Sequence, residues 1–199
     1  GNIMKNENIK RRSFLKATAT AGIAYSAFPS PAISKNRLKW KMVTTWPKNF
    51  PGVGTTAEKI AQSITKASDG RLEIKVYGAG EIVPAYEVFD AVRQGTAEMS
   101  HGWSGYWISK NPGLAYFGGI PGGLSPSEQS AWALYGGGLK LWEELLDPYG
   151  IQPFQGGIVQ TEMFGWYKKA LHTIEDLQGL KIRMSGLAAE VLNRMGATT

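Results

Sequence analysis

A guanidinium, an amide and two hydroxyls in this sequence have chemistry that could hold an anion or a hard cation. Arg183 follows the alternating run Leu180, Lys181, Ile182. Its planar donor fork matches a carboxylate bidentately. On spacing alone, a surface arginine on an edge strand is the plainer reading. Gln160 follows a stretch that carries Gly156 and Gly157. Its amide carbonyl can ligate a hard cation and its amide nitrogen can bind a carboxylate, the alternative being an ordinary polar strand end. Ser104 and Tyr106 stand in an aromatic, glycine-spaced stretch, where hydroxyls can bond a keto or hydroxyl oxygen. Trp46, Trp103 and Trp166 can wall a cleft, although tryptophan more often serves a core.

Other chemistries lack their parts. Gly52, Gly54 and Ala57 have the spacing of a dinucleotide fingerprint. Pro47 and Pro51 make the path from Trp46 to Gly52 too long for its tight turn, and no acid ends the next strand. Gly102-x-Ser104 begins like a nucleophile elbow, but Tyr106 holds the position of the second glycine. His101 and His172 stand without transition-metal ligand spacing. With no cysteine, disulfides, thiolate metal sites and a cysteine nucleophile are excluded.

The elements that must position these residues follow from periodicity. Residues 39–46 read as a buried strand stopped by Pro47 and Pro51. Ala57, Ile60, Ala61 and Ile64 fall at helical spacing within 55–68, and Asp69-Gly70 ends that helix. Residues 71–77 alternate as a half-exposed strand, 84–94 form a helix opened by Pro84 and closed by Gly95, and 98–102 form a short strand. This β-α-β-α-β order predicts a largely parallel sheet, with Ser104 and Tyr106 beyond a strand's carboxyl end. After the aromatic loop, one long helix is expected over 127–146 with Ser125 as its cap. Strands are expected over 151–160, 163–168 and 180–184, a short turn capped by Thr173 over 174–177, and a helix over 188–195.

The net charge of +6 is concentrated at the start of the chain. Residues 1–32 carry Lys5, Lys10, Arg11, Arg12 and Lys16 against Glu7, leaving 17 basic and 15 acidic residues in the body. The body has no clustered basic surface for nucleic acid. Arg11-Arg12 with Ser13-Phe14-Leu15-Lys16, the weakly apolar run 17–28 and the small residues Ser30 and Ala32 predict a twin-arginine signal peptide over residues 1–32, and hence a periplasmic protein. The apolar run is about half of what a membrane-spanning helix requires.

Three runs carry a family likeness: Tyr77-Gly78-Ala79-Gly80-Glu81-Ile82-Val83 with Glu87 to Met99, Trp103-Ser104-Gly105-Tyr106-Trp107 through Lys110, and Asp176-Leu177-Gln178-Gly179-Leu180-Lys181-Ile182-Arg183. With them, residues 38–199 resemble the solute-receptor subunits of tripartite ATP-independent periplasmic (TRAP) transporters, in particular the branch binding 2-oxo acids and lactate. The resemblance implies an α/β periplasmic solute-binding fold with two α/β domains around a ligand cleft. The first domain would cover 33–150. Residues 151–199 would hold the crossover and the start of a second domain that is incomplete here. Arg183 is implied as the carboxylate clamp and Gln160 as an anion and metal ligand, with Tyr106, Ser104, Trp103 and Trp46 around the ligand. The implied ligand is a small monocarboxylate, a 2-oxo acid such as pyruvate, or lactate. Some members bind their anion with Na+ or Ca2+. The implied partners are two integral membrane subunits, with a homodimer of the full-length protein left open. A sensor domain and an α/β enzyme acting on a carboxylic acid are the competing classes. A downstream signalling module would favour the sensor, and turnover of the acid the enzyme.

Overall fold

The computed structural model describes residues 37–160 and 162–199, so the expected signal peptide with Arg11 and Arg12 lies outside the described residues. Arg37–Thr199 forms one compact unit. Its first half is built from β1 (Leu38–Thr44), α1 (Val53–Ala67), β2 (Leu72–Tyr77), α2 (Val88–Arg93, preceded by a 3-10 turn at Ala85–Glu87) and β3 (Met99–His101). The expected parallel sheet is present, in the order β2-β1-β3, with both pairings parallel. Met42 lies opposite Val76 on one side and Met99 on the other, which fixes the register.

Both edges of β1 are therefore occupied, and its two faces are buried by different layers. Met42 packs with Ala57 and Ala61 of α1 and with Ile74 and Val76 of β2. Val43, one residue on, points the other way into a cluster with Val88, Phe89, Trp107 and Leu114. A period of two with both faces apolar is the pattern of a central parallel strand. Burying each large side chain contributes roughly 1.5–3 kcal/mol. Helix α1 stops where the sequence predicts: Asp69 and Gly70 both take left-handed backbone angles, and the Gly70 N–H donates to the Thr65 carbonyl at 2.9 Å.

The expected long helix over 127–146 is two helices, α4 (Pro126–Tyr135) and α5 (Gly138–Leu146), following the short α3 (Ala115–Gly118). Ser125 caps α4 as expected, in a capping box with Glu128. Gly137, at φ 85°, breaks the run. The break folds Trp132 and Trp142 onto the two sides of Phe117, at ring distances of 5.4 and 5.1 Å. A side chain on Gly138 would stand 2.8 Å from the Trp132 ring, so the return requires glycine there.

Residues 151–160 and 163–168 are irregular, not strands, and the 180–184 segment makes a single parallel bridge, Lys181 to Thr198. The apolar patterns are real, but a strand also needs a neighbour to pair with. None of the described residues pairs with 151–160 or 163–168. After the 3-10 turn Glu175–Leu177, α6 (Gly186–Arg194) packs a small separate cluster of Leu177, Leu192 and Ala197.

If β1 is the keystone, Met42→Ala should cost about 2–5 kcal/mol in urea unfolding. Leu38→Ala, at a position 58% exposed on the same strand, should cost under about 0.5 kcal/mol. Equal losses would contradict this packing.

Candidate functional site

Parallel pairing brings the carboxyl ends of β1 and β3 side by side, and the chain leaving each carries the candidate residues. Thr45 N–H donates to the His101 carbonyl at 3.1 Å, extending the β1–β3 ladder past the strands. Trp46 then stands across from His101, and its indole N–H donates to His101 Nδ1 at 2.8 Å. Since Nδ1 accepts, the ring proton sits on Nε2, which donates to the Gly156 carbonyl at 3.1 Å. His101 is thus a neutral strut between the end of β1 and the chain leaving the first half. Both of its ring nitrogens are engaged within the chain. A side chain on Gly156 would come within 3.0 Å of the imidazole. Gln155 and Gln152 tie the same segment down through Ser130 Oγ at 3.2 Å and Glu143 at 2.6 Å.

The segment after β3 makes a 3-10 turn at Ser104–Trp107 that fans its aromatics apart. Trp107 turns into the core and donates its N–H to the Tyr86 carbonyl at 2.9 Å. Tyr106 is only partly buried and packs against the margin of the same cluster. Its ring is edge-on to Trp103 at 5.0 Å and to Tyr86 at 5.1 Å, and it lies 6.3 Å from Trp46. Trp103 is wedged rather than open: its N–H donates to the Gly118 carbonyl at 2.6 Å. A Cβ on Gly105 would collide with the Trp103 ring, and one on Gly186 would stand 2.9 Å from it. Glycines from three segments make room for this indole.

Arg183 arrives at the same place from the other half of the unit. The Tyr86 hydroxyl, by hydrogen bonding, and then Tyr106, by charge proximity and hydrogen bonding, hold the guanidinium pKa above its ordinary value. Both phenols, from two different turns, therefore lie near the guanidinium, which is itself exposed. Beside them, the Ser104 side chain is buried, with 7% of its surface exposed, and its hydroxyl has no hydrogen-bond partner. The Thr45 hydroxyl, at the end of β1, is in the same condition. Unpartnered buried hydroxyls are costly, and these two lie at the strand ends where parallel α/β sheets hold ligands.

Of the residues singled out from sequence, Trp46, Trp103, Tyr106 and Arg183 come together, with Ser104 alongside. Gln160 does not join them by any contact among the described residues; it is exposed on irregular chain. Trp166 is 89% exposed. No group of three or more His, Cys, Asp or Glu among the described residues could hold a metal ion. A hollow of about 420 Å³ near Glu87, Arg93 and Lys110 lies away from this cluster. Asp90 there is already engaged by Lys110 at 2.7 Å and Arg93 at 3.3 Å. Sequence reading missed Tyr86 and the strut role of His101. Tyr86 carried no signal beyond its type, whereas His101 could have been suspected from its place at the end of a strand.

The strut has a pH consequence. Burial pushes the His101 pKa below its ordinary value of 6.5, and the Gly156 carbonyl opposes this only in part. The unfolded chain therefore binds the proton more readily than the folded one. Stability is full above about pH 6.5 and falls as the pH drops from there towards the lowered folded value. Urea midpoints followed from pH 7.5 to about 5 should fall more steeply for the parent than for His101→Gln. Parallel slopes would contradict the strut.

Residues 42–199 match the family model described as bacterial extracellular solute-binding protein, family 7. A monocarboxylate 2-oxoacid-binding periplasmic protein of Nostoc sp. is 33% identical over 195 residues, covering 97% of this chain and 53% of that protein. A TRAP periplasmic solute-binding protein of Colwellia psychrerythraea, solved with calcium and pyruvate, superposes with a TM-score of 0.79 at 40% identity. Its counterpart from Pseudoalteromonas atlantica, solved with sodium and pyruvate, gives 0.78 at 40% identity. Each superposition covers 81% of this chain and 49% of the other. The chain thus spans about half the length of these relatives. With the family match over most of its length and the α/β unit described above, the chain belongs to the family 7 bacterial extracellular solute-binding proteins, the TRAP receptors.

Proposed function

We propose that this chain is the ligand-capturing part of a TRAP solute receptor that takes up a small monocarboxylate, a 2-oxo acid such as pyruvate or the related lactate. The observation that carries this reading is the aromatic cluster of Trp46, Trp103, Tyr106 and Tyr86 at the carboxyl ends of β1 and β3, with the Arg183 guanidinium near its two phenols. A guanidinium binds the carboxylate. The phenols and the Ser104 hydroxyl reach the oxygen on the neighbouring carbon, and the indoles exclude water from the carbon skeleton. No described group offers an activated nucleophile or a general base poised in this cluster, so the role is capture without turnover. Residues 33–150 would form the first domain and 151–199 the crossover and start of the second, with closure by a hinge around the anion.

A cation bound with the anion, as in the calcium- and sodium-containing relatives, would draw on Gln160. Its amide oxygen is a hard donor, and among the described residues it has no competing partner. Calcium takes six to eight oxygens, so oxygens of the anion, waters and further protein oxygens would complete such a site. Delivery would be to two integral membrane subunits, after export to the periplasm by the twin-arginine route. Replacing Arg11 and Arg12 with Lys should abolish periplasmic accumulation in the native host. Undiminished accumulation would remove the export route from the proposal.

The binding test is Arg183. Charge-assisted hydrogen bonds contribute roughly 1.5–3 kcal/mol each, and a fork makes two. In a receptor of full family length carrying this sequence, Arg183→Ala should weaken pyruvate binding by at least about 2–5 kcal/mol in calorimetric titration. Arg183→Lys should lose most of the affinity while keeping the charge, because one ammonium does not reproduce the planar fork. If both variants remain folded by circular dichroism and bind within twofold of the parent, Arg183 is not the clamp.

A further inference from the structure

Gly156 is the last point at which the chain leaving the first half is tied down. Before it, the Ile151 N–H donates to the Leu146 carbonyl at 3.4 Å, Gln152 donates to Glu143 and Gln155 to Ser130. The Gly156 carbonyl itself accepts from His101 Nε2 at 3.1 Å. From Gly157 to Ala170, the one hydrogen bond among the described residues is internal, from the Tyr167 hydroxyl to the Phe164 carbonyl at 3.0 Å. Gly157 takes a φ of 145°, a backbone conformation that favours glycine. Two adjacent glycines at the boundary between tied and untied chain are suited to absorb the change of backbone angles that a hinge requires.

The fixed side of that boundary is joined to the candidate site through one ring. His101 holds Gly156 with Nε2 and accepts from the Trp46 indole with Nδ1 at 2.8 Å. Trp46 in turn lies 6.3 Å from the Tyr106 ring. Protonation would put a donor on both imidazole nitrogens. The bond to Gly156 survives that change, but the Trp46 N–H then faces another N–H, and the tie between the aromatic wall and the exit chain is lost. The groups around the ring offer no compensating charge. Thr56 and Ile60 of α1 approach the glycine pair, and neither is charged. Tyr106, the titratable side chain of the aromatic turn, lies across Trp46 from the ring. Glu98, at the start of β3, is engaged by the Lys41 backbone N–H. Burial and the Gly156 carbonyl are the causes that act on the His101 pKa; the α1 charges Glu58, Lys59 and Lys66 are not among them.

We propose that His101 is a positioning residue for anion capture: its neutral ring holds the Trp46 wall and the stationary end of a Gly156–Gly157 pivot together, so that the receptor binds its anion best at neutral pH and more weakly on acidification. This deepens the proposed function and rests on the reading of the aromatic cluster as the anion site. The sign follows from linkage. A bound state that needs the neutral ring excludes the proton, so affinity is full above the folded pKa and falls as the pH drops through it. That pKa lies below the ordinary 6.5. A small 2-oxo acid is an ionised carboxylate throughout this range, so its own titration does not enter.

The test is calorimetric titration of pyruvate into the full-length receptor between pH 7.5 and about 5, with circular dichroism confirming the fold at each pH. The parent is compared with His101→Asn, His101→Gln and Arg183→Ala. Asn places an amide oxygen where Nδ1 accepts from Trp46, and Gln places an amide N–H where Nε2 donates to Gly156; neither takes up a proton. Parent affinity should be level above about pH 6.5 and fall about three- to tenfold by about pH 5. Both His101 variants should give level profiles, and either one that folds suffices. A level parent profile, a parallel decline in parent and variants, or affinity that rises on acidification each overturns the inference and leaves the proposed function standing. Undiminished binding in Arg183→Ala overturns the clamp in the proposed function, while the pH profiles still decide the role of His101. Pyruvate that fails to bind the parent at any pH overturns both.

Discussion

One neutral imidazole joins three parts of the chain that are far apart in sequence. His101 stands at the end of β3, accepts from Trp46 beyond the end of β1, and donates to Gly156 in the segment leaving the first half. A protonated ring would have two donors and no acceptor, and would face the Trp46 N–H with a proton of its own. The neutral form is therefore a structural requirement, and burial supplies it by disfavouring the charge. The consequences run outward: Trp46 is oriented towards Tyr106, and the exit chain is held against the end of β3. Tight packing is not available to do this, because residues 154–160 are mostly exposed and form no ladder.

Around that strut the cluster is shaped by what glycine leaves out. Trp103 fills a slot formed at Gly105, Gly118 and Gly186, which come from the aromatic turn, α3 and the start of α6. Gly186 stands three residues after Arg183 and takes a left-handed angle of 67°. The indole thus sets how closely α6 approaches the turn that carries Tyr106, and with it the position of the guanidinium. Trp103 was expected from sequence as a wall of the cleft. In the structure its indole N–H is committed to the Gly118 carbonyl and its six-membered ring to packing, so its contribution to a ligand is made through shape.

Much of the first half was legible in the sequence because local and tertiary signals agree there. The apolar alternation of β1 and β2, the helical spacing of α1, the Asp69-Gly70 stop and the Ser125 cap each have a short-range physical cause, and each appears within one or two residues of its expected bounds. Legibility ended where the outcome depended on distant partners. The residues over 151–160, 163–168 and 180–184 have the composition of strands, but a ladder is a property of two segments, and only Lys181 finds a partner, in Thr198. The single helix expected over 127–146 failed for a related reason: Gly137 permits a break, and the stacking of Phe117 between two tryptophans makes the break favourable. In the site, the family resemblance rather than residue type or spacing pointed to Arg183, Tyr106, Ser104, Trp103 and Trp46, whereas Tyr86 became visible only once folding brought it to Tyr106.

The central claim is that the Arg183 fork, presented by two phenols at the carboxyl ends of β1 and β3, is where a small acid anion is held. The most direct measurement is a crystal structure of the full-length receptor with pyruvate bound. The account predicts the pyruvate carboxylate on the Arg183 guanidinium in a bidentate pair, with the keto oxygen within hydrogen-bond distance of Tyr106 or Tyr86. Pyruvate bound elsewhere, with Arg183 turned to solvent, would contradict it.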